Sequence, residues 1–347
     1  MKKYKIAEII GERDIALRDW EMPELYPDEV KVKITACAIC TSDQGIYRGA
    51  RSRNFPFYPG HEVVGIVEEV GELAATEAKV GDKVAVCRIN RCGQCPACRR
   101  GDDNRCIKSQ TLHRPGRPAG PGGFAEYLIV PDYQVFKMDE DADMINYALI
   151  EPVACCIGSV DKADVRIGDK VLVIGAGIMG LLHAEVLRLR GAKVIISEVD
   201  EKRREIAKDF ADWVVNPNED MESSIREITN GYGVNSVFVT AGPPTLVPSL
   251  FKYLAGGADM VIYTSYYQKE GPEASINMND LHYKEYRIVG TISPTRHDFE
   301  RAVSIVNGKR IDLKKFIRTT VPFADISKAF EMAIEPGSYR VVVTMED

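Results

Sequence analysis

The sequence predicts an α/β protein of two domains, one β-rich and one built on a parallel sheet. Three observations carry this. The chain has 347 residues, a length for which about two domains is the prior. Its first third alternates apolar with polar residues, as in DEVKVKITAC and HEVVGIVEEVG, the period of half-buried strands. Near Glu151 the pattern changes to apolar runs without alternation, separated by helical stretches. Such runs mark strands buried on both faces.

The elements follow in order. KVGDKVAVC carries a Gly-Asp turn into a strand. HRPGRPAGPGGF, from His113 to Phe124, is dense in Pro and Gly and reads as loop. AEYLIV is a further strand. DKVLVIGAGIMGLLHAEVLRLRGAKVIISEVD then reads as strand, glycine turn, helix and strand, and VNSVFVTAG and ADMVIYTS as later strands of the same sheet. After about Gly290 helical patterns return in DFERAVSIVNG and ISKAFEMAI, before a last strand, YRVVVTM.

Composition narrows the function. Hydrophobic residues at 45% and charged residues at 28% are ordinary for a globular protein. A net charge of −6 and the lack of a basic stripe argue against a nucleic-acid partner. The start, MKKYKIAEIIGERD, has no long apolar run behind its lysines and does not read as a signal peptide. No stretch approaches ~18 apolar residues, so no membrane span is expected. The expected location is the cytoplasm, where thiols stay reduced, and nine cysteines there point to metal.

Cys92, Cys95, Cys98 and Cys106 stand in the spacing C-x2-C-x2-C-x7-C. A disulfide knot, an iron–sulfur cluster and a zinc site could each use such a run. The ferredoxin spacing continues C-x3-C-P and repeats, whereas here the fourth cysteine follows a seven-residue loop and no second copy exists. Four thiolates around one tetrahedral ion suit structural zinc. Gly175, Gly177 and Gly180 form G-x-G-x-x-G between the strand KVLVI and a helix, and Glu198 ends the next strand. In that setting the glycines admit a pyrophosphate to the helix start, and a carboxylate holds the ribose hydroxyls of NAD while repelling the 2′-phosphate of NADP. Asp200 lies further past the strand. Cys40, His61, Glu62 and Glu151 offer one thiol, one imidazole and carboxylates, a mixed set of the kind found around catalytic zinc. Each also has a plainer reading, as a core thiol, a turn histidine or a charge at a helix start.

With CAICTSD, PGHEVVGIVEEVG, GDKVAV, the four-cysteine lobe, GGFAEY, EPVACC and VLVIGAGIMG in that order, the chain resembles the zinc-containing medium-chain dehydrogenase/reductases over nearly its whole length. The resemblance implies a GroES-like catalytic domain, residues 1–151 and 290–347 with a zinc lobe at 88–106, around a doubly wound Rossmann domain at 152–289. It implies catalytic zinc on Cys40 and His61, with Glu62 and Glu151 as remaining or exchanging ligands. It also implies Ser42 as the hydroxyl that bonds the substrate oxygen and Asp43 as a residue near the zinc. Arg203 would meet the adenosine ribose and Arg340 the pyrophosphate, in a homodimer or homotetramer. Glutamate at 151 is similar to sorbitol, threonine and related polyol or sugar dehydrogenases, and Tyr47 falls where those often have a substrate-facing tyrosine.

The expected activity is hydride transfer between a secondary alcohol and NAD, with L-threonine or simple alcohols as alternative substrates. A zinc-free reductase would lack the ligands, and a non-enzymatic member would have lost one of them or Ser42. Two positions depart from the pattern. Gly45 stands where many relatives carry a relay histidine, and Cys155 and Cys156 interrupt an apolar run that in relatives often ends in histidine.

Overall fold

The computed structural model describes residues 2–51, 53–112, 114–266 and 274–345. His113, which opens the Pro/Gly-rich loop, lies outside them. The chain divides into two units, Met1–Ala154 with Pro294–Asp347, and Cys155–Ser293.

The first unit begins with a hairpin, β1 (Lys3–Gly11) and β2 (Asp14–Glu21). It continues through β3 (Glu29–Ala38), β4 (Glu62–Val70), β5 (Lys83–Cys87), β6 (Tyr127–Pro131) and β7 (Val135–Lys137). The second unit holds β8 (Lys170–Ile174), β9 (Lys193–Ser197), β10 (Trp213–Val215), β11 (Val234–Val239), β12 (Leu254–Ile262) and β13 (Arg287–Gly290). The chain then returns to the first unit with β14 (Ile317–Pro322) and β15 (Arg340–Thr344).

In the first unit the strand order is β14-β15-β3-β4-β5-β7, with β6 also on β3. The alternation in β3 suggested one wet face. Instead all of it is buried except Lys33 and Thr35, because β3 is the central strand. It carries β4 along one edge, and β6 and β15 on successive parts of the other. Lys31 is tolerated there because its ammonium pairs with Glu68 at 2.6 Å. The helix Ile326–Ala333 closes this core with Ile326, Ala329, Phe330 and Ala333, spaced three and four apart so that they share one face.

Register brings distant residues to one end of this sheet. Ala38 pairs with both Glu62 and Val342, and Glu62 pairs with Cys87. The antiparallel β3–β15 ladder, extended by two residues, sets Arg340 opposite Cys40.

The second unit is a parallel sheet in the order β10-β9-β8-β11-β12-β13. The order reverses beside β8, so the carboxyl end of β8 is a topological switch point, the usual place for a ligand in such sheets. Among the described residues no helix is long and apolar enough to cross a membrane.

His183 sits within this unit, fully buried on the helix Ile178–Leu189. Its Nδ1 lies 2.6 Å from the Met179 carbonyl and 3.3 Å from Cys156 Sγ, and its Nε2 lies 2.9 Å from Ser159 Oγ. A neutral ring donating from Nδ1 to Met179 and accepting at Nε2 from Ser159 satisfies both nitrogens. Burial pushes its pKa down to about 4, only partly opposed by the Met179 carbonyl. The folded value is depressed, so this stabilisation is complete above the ordinary value of about 6.5 and is lost as the pH falls toward 4. Roughly 3 kcal/mol is at stake. Denaturant titrations at pH 8 and pH 4.5 should show a smaller acid loss in His183→Gln than in the native chain; equal losses would contradict it.

Candidate active site and metal centres

The cysteine lobe has almost no core of its own. Cys95, Ala97 and Cys106 are its buried cluster, with Cys92 and Cys98 packed against them. The four sulfur atoms lie within 4.8 Å of one another, and Cys92 and Cys98 are 4.0 Å apart. Tetrahedral zinc at about 2.3 Å from each sulfur would need separations of about 3.8 Å. None of the nine cysteines is joined in a disulfide. Backbone N–H groups aim at the sulfurs: Cys95 N at Cys92, Cys98 N at Cys95 and Cys92 N at Cys106, at 3.3, 3.5 and 3.3 Å. The N–H groups of Cys98 and Ile107 bring the Cys95 thiol down to about 6, while burial holds Cys98 up at about 12. The donors and spacing fit a closed four-thiolate zinc site, and the residues left to hold a substrate are elsewhere.

The mixed set lies at the convergent end of the first unit's sheet. Cys40 precedes the short helix Thr41–Tyr47, His61 precedes β4, and Glu62 begins it. One ligand atom from each of Cys40, His61 and Glu62 lies within 4.8 Å of the others, a spacing that fits a zinc ion. Asp43, 1% exposed, organises them. Its carboxylate accepts from Cys40 N at 3.2 Å and Gly60 N at 3.4 Å, and faces His61 Nδ1 at 3.6 Å. A carboxylate on one ring nitrogen orients a histidine so that the other nitrogen serves the metal. Burial opposes a charge on His61, but Asp43 and Cys40 outweigh it and raise its pKa well above the usual value. Metal uptake would therefore displace a proton from the ring.

Glu62 is wholly buried and forked by Arg340, with Nε at 2.9 Å and Nη2 at 2.6 Å; the same Nη2 approaches Cys40 Sγ at 3.7 Å. Burial alone would discharge the guanidinium, but Glu62, Cys40 and Glu151 hold it charged. The sequence signals neither this pairing nor the triple use of Asp43. Glu151, in the first turn of the helix Ile150–Val160, falls outside the 4.8 Å set, yet its charge acts on His61 and Arg340. Ser42 is half-buried in the first turn after Cys40.

Tyr47 requires a correction. It is 1% exposed, its hydroxyl donates to Glu331 Oε1 at 2.8 Å, and its ring packs on Phe330. The helix explains why. Tyr47 follows Asp43 by four residues and shares its buried face, while Ser42 lies about 140° around the axis. Tyr47 therefore does not face a substrate.

In the second unit the glycine turn leaves β8. Gly175 has a φ of +98°, and a Cβ on it would meet Ala241 Cβ at 2.7 Å. A Cβ on Gly180 would lie 2.0 Å from the Gly175 carbonyl, so the helix packs directly on the turn. A Cβ on Gly177 would meet nothing within 4 Å, leaving its backbone open to a close ligand. Glu198 directly follows β9, and its carboxylate accepts from Ala176 N at 2.7 Å and Asp200 N at 2.9 Å. Strand end and glycine turn are thus joined through this acid, a cradle that fits a dinucleotide. Asp200 caps the helix Glu201–Ala207 by accepting from Arg203 N at 2.9 Å. Arg204, which the sequence did not single out, donates to the carbonyls of Glu198 and Val199 at 3.1 and 2.6 Å.

Residues 26–140 match the family described as Alcohol dehydrogenase GroES-like domain, and residues 179–308 match Zinc-binding dehydrogenase. The chain is 34% identical to an L-threonine 3-dehydrogenase of Caldanaerobacter subterraneus subsp. tengcongensis, over 93% of each chain. It is 30% identical to a sorbitol dehydrogenase of Halalkalibacterium halodurans, over 94% of this chain and 95% of that one. Among solved structures, an alcohol dehydrogenase from E. coli CFT073 complexed with NADH superposes with a TM-score of 0.88 at 26% identity. A zinc-binding dehydrogenase type of protein from Sinorhizobium meliloti 1021, bound to NADP, superposes with a TM-score of 0.87 at 28% identity. Each superposition covers 99% of this chain and 100% of the other. The chain belongs to the zinc-containing medium-chain dehydrogenase/reductase superfamily, oxidoreductases that act on alcohols and polyols.

Proposed function

We propose that this chain oxidises a secondary alcohol within a polyol or sugar-like molecule and reduces NAD. The observation that carries this reading is the convergence of Cys40, His61 and Glu62 within 4.8 Å. Zinc, when bound there, supplies Lewis acidity that brings an alcohol's pKa toward neutrality. NAD, which the glycine turn and Glu198 would hold, would supply the hydride acceptor that lets the carbinol carbon become a carbonyl. The remaining work belongs to the chain. Asp43 holds His61, Cys40 and the Gly60 backbone in place. Arg340 neutralises Glu62, and could meet a pyrophosphate only with the nitrogen not engaged there. Ser42 Oγ accepts the alcohol's proton and hands it on, since a hydroxyl both donates and accepts. Gly45 offers no side chain to continue the relay, so the proton leaves by a ribose hydroxyl or water. Glu62 and Glu151 would be the carboxylates that hold the metal or give way there to water or substrate.

NAD is favoured over NADP because Glu198 would set its charge beside a 2′-phosphate, with Arg203 as the nearby basic residue. Nine cysteines with no disulfide between them support a cytoplasmic, reducing location, and a homodimer or homotetramer is the proposed assembly. L-threonine is the second reading, favoured by the 34% identity to an L-threonine 3-dehydrogenase.

The deciding experiment is a panel of sorbitol, other polyols, L-threonine and ethanol with NAD and with NADP, followed by absorbance of the reduced cofactor. Turnover of polyols with NAD is expected. Activity confined to primary alcohols would refute the substrate class, and equal efficiency with NADP would refute the role of Glu198. Ser42→Ala should lower kcat/KM by ~10²-fold at unchanged metal content, the scale of a positioned proton-transfer group. Near-full activity in that variant would move the proton to Glu62 or Glu151.

A further inference from the structure

A cavity of about 420 Å³ in the first unit has no part in the dehydrogenase chemistry derived above. Its size is that of a small-molecule site. Five cationic side chains line it, Arg88, Arg91, Lys108, Arg114 and Arg117, against one carboxylate, Glu29. Three of these cations are already matched. Arg91 Nε lies 3.0 Å from Asp103, Arg114 forks onto Asp28 at 2.8 and 2.6 Å, and Arg117 pairs with the buried Glu29.

Arg88 is different. Its Nε donates to the Pro121 carbonyl at 2.7 Å and its Nη1 to Gln134 Oε1 at 2.5 Å, both neutral acceptors. Among the described residues no carboxylate bonds it. Burial pushes its pKa down to about 10. Arg117 adds a second, independent sign: its Nε and Nη1 are buried with no hydrogen-bond partner. A half-buried cation whose hydrogen bonds go only to neutral acceptors keeps its charge available to an anion. The guanidinium fork matches carboxylate and phosphate oxygens, and Tyr4, Leu128 and Ile129 add apolar wall to the same cavity.

We propose that this cavity binds the anionic group of a small organic molecule, a carboxylate or a phosphate, with Arg88 as the recognition residue and Arg117 as a further donor. Two sources share this chemistry. Arg88 follows Cys87, the strand partner of Glu62, and Gly122, next to Pro121, bonds the Tyr58 carbonyl three residues ahead of His61. The cavity is therefore built on segments that also carry the metal set, and the anion is either the acidic end of the substrate or a separate ligand.

The melting arm of the test reads binding without turnover, so the site can stand or fall apart from the dehydrogenase reading. Zinc-replete protein saturated with NAD, which fills any pyrophosphate site, is melted in titrations of inorganic phosphate, D-gluconate and neutral D-sorbitol, with ionic strength held by NaCl. Phosphate or gluconate should raise the Tm saturably. Arg88→Met should weaken that affinity about tenfold or more, the scale of a lost charged hydrogen bond. Sorbitol should shift both proteins alike. Arg117→Gln serves if Arg88→Met does not fold. Gluconate that competes with the oxidised alcohol assigns the anion to the substrate, and phosphate that binds without changing the alcohol's KM assigns a separate ligand. Equal shifts in native and variant proteins, or none above the NaCl control, would overturn the site.

Discussion

His61→Ala should lower kcat/KM by ~10³-fold or more, because Lewis-acid chemistry supplies several kcal/mol of transition-state stabilisation. It should also reduce the zinc content from about two ions per chain to about one, since only one of the two ligand sets is touched. The fold should survive. His61 is half-buried and precedes β4, and Asp43, which it leaves, keeps the N–H groups of Cys40 and Gly60. Elemental analysis and initial rates on the same preparation check both halves of the expectation. A variant that keeps two zinc ions, or that loses less than tenfold in kcat/KM, would show that the convergence of Cys40, His61 and Glu62 is not the catalytic metal site.

Arg340→Met should be among the most destabilising single substitutions in the first unit. Arg340 and Glu62 are 2% and 0% exposed at their side chains. Methionine keeps much of the arginine's volume but leaves a carboxylate buried without its fork. Breaking a buried pair from one side costs about 3–5 kcal/mol, far more than the pair contributes relative to an apolar replacement. The loss comes from the carboxylate charge left without its partner, so removing that charge should offset part of it. Pairing Arg340→Met with Glu62→Gln should therefore recover a measurable share. Denaturant midpoints for the native chain, both single variants and the double variant give the coupling directly. A loss below about 1 kcal/mol in Arg340→Met would mean that another cation compensates Glu62.

Some of this protein was legible from local pattern alone. The four cysteines sit within fifteen residues, so their spacing brings the sulfurs together almost wherever the surrounding chain goes, and they lie within 4.8 Å of one another. The same holds for Gly175, Gly177 and Gly180, which meet Glu198 after one helix and one strand. The ligand types of the mixed set, and their order along the chain, were also readable, though spacing did not say which carboxylate would join Cys40 and His61.

Tertiary structure decided the rest. Glu62 and Arg340 are 278 residues apart, and nothing local in either segment announces the other. They meet because β3 pairs with β4 on one edge and β15 on the other, in registers that bring Glu62 and Val342 to Ala38. Tyr47 looked like a substrate residue by position, yet one helical turn past Asp43 carries it into the core. Nothing local in the sequence marks Arg88, yet its strand end sets it among neutral acceptors beside a cavity. Sequence by itself determined what was held by a few residues of chain: the thiolate lobe, the glycine turn and the types of ligand. Which buried charge faces which partner was decided only by strand register, because one residue of slip would turn each of these side chains to the other face of its sheet.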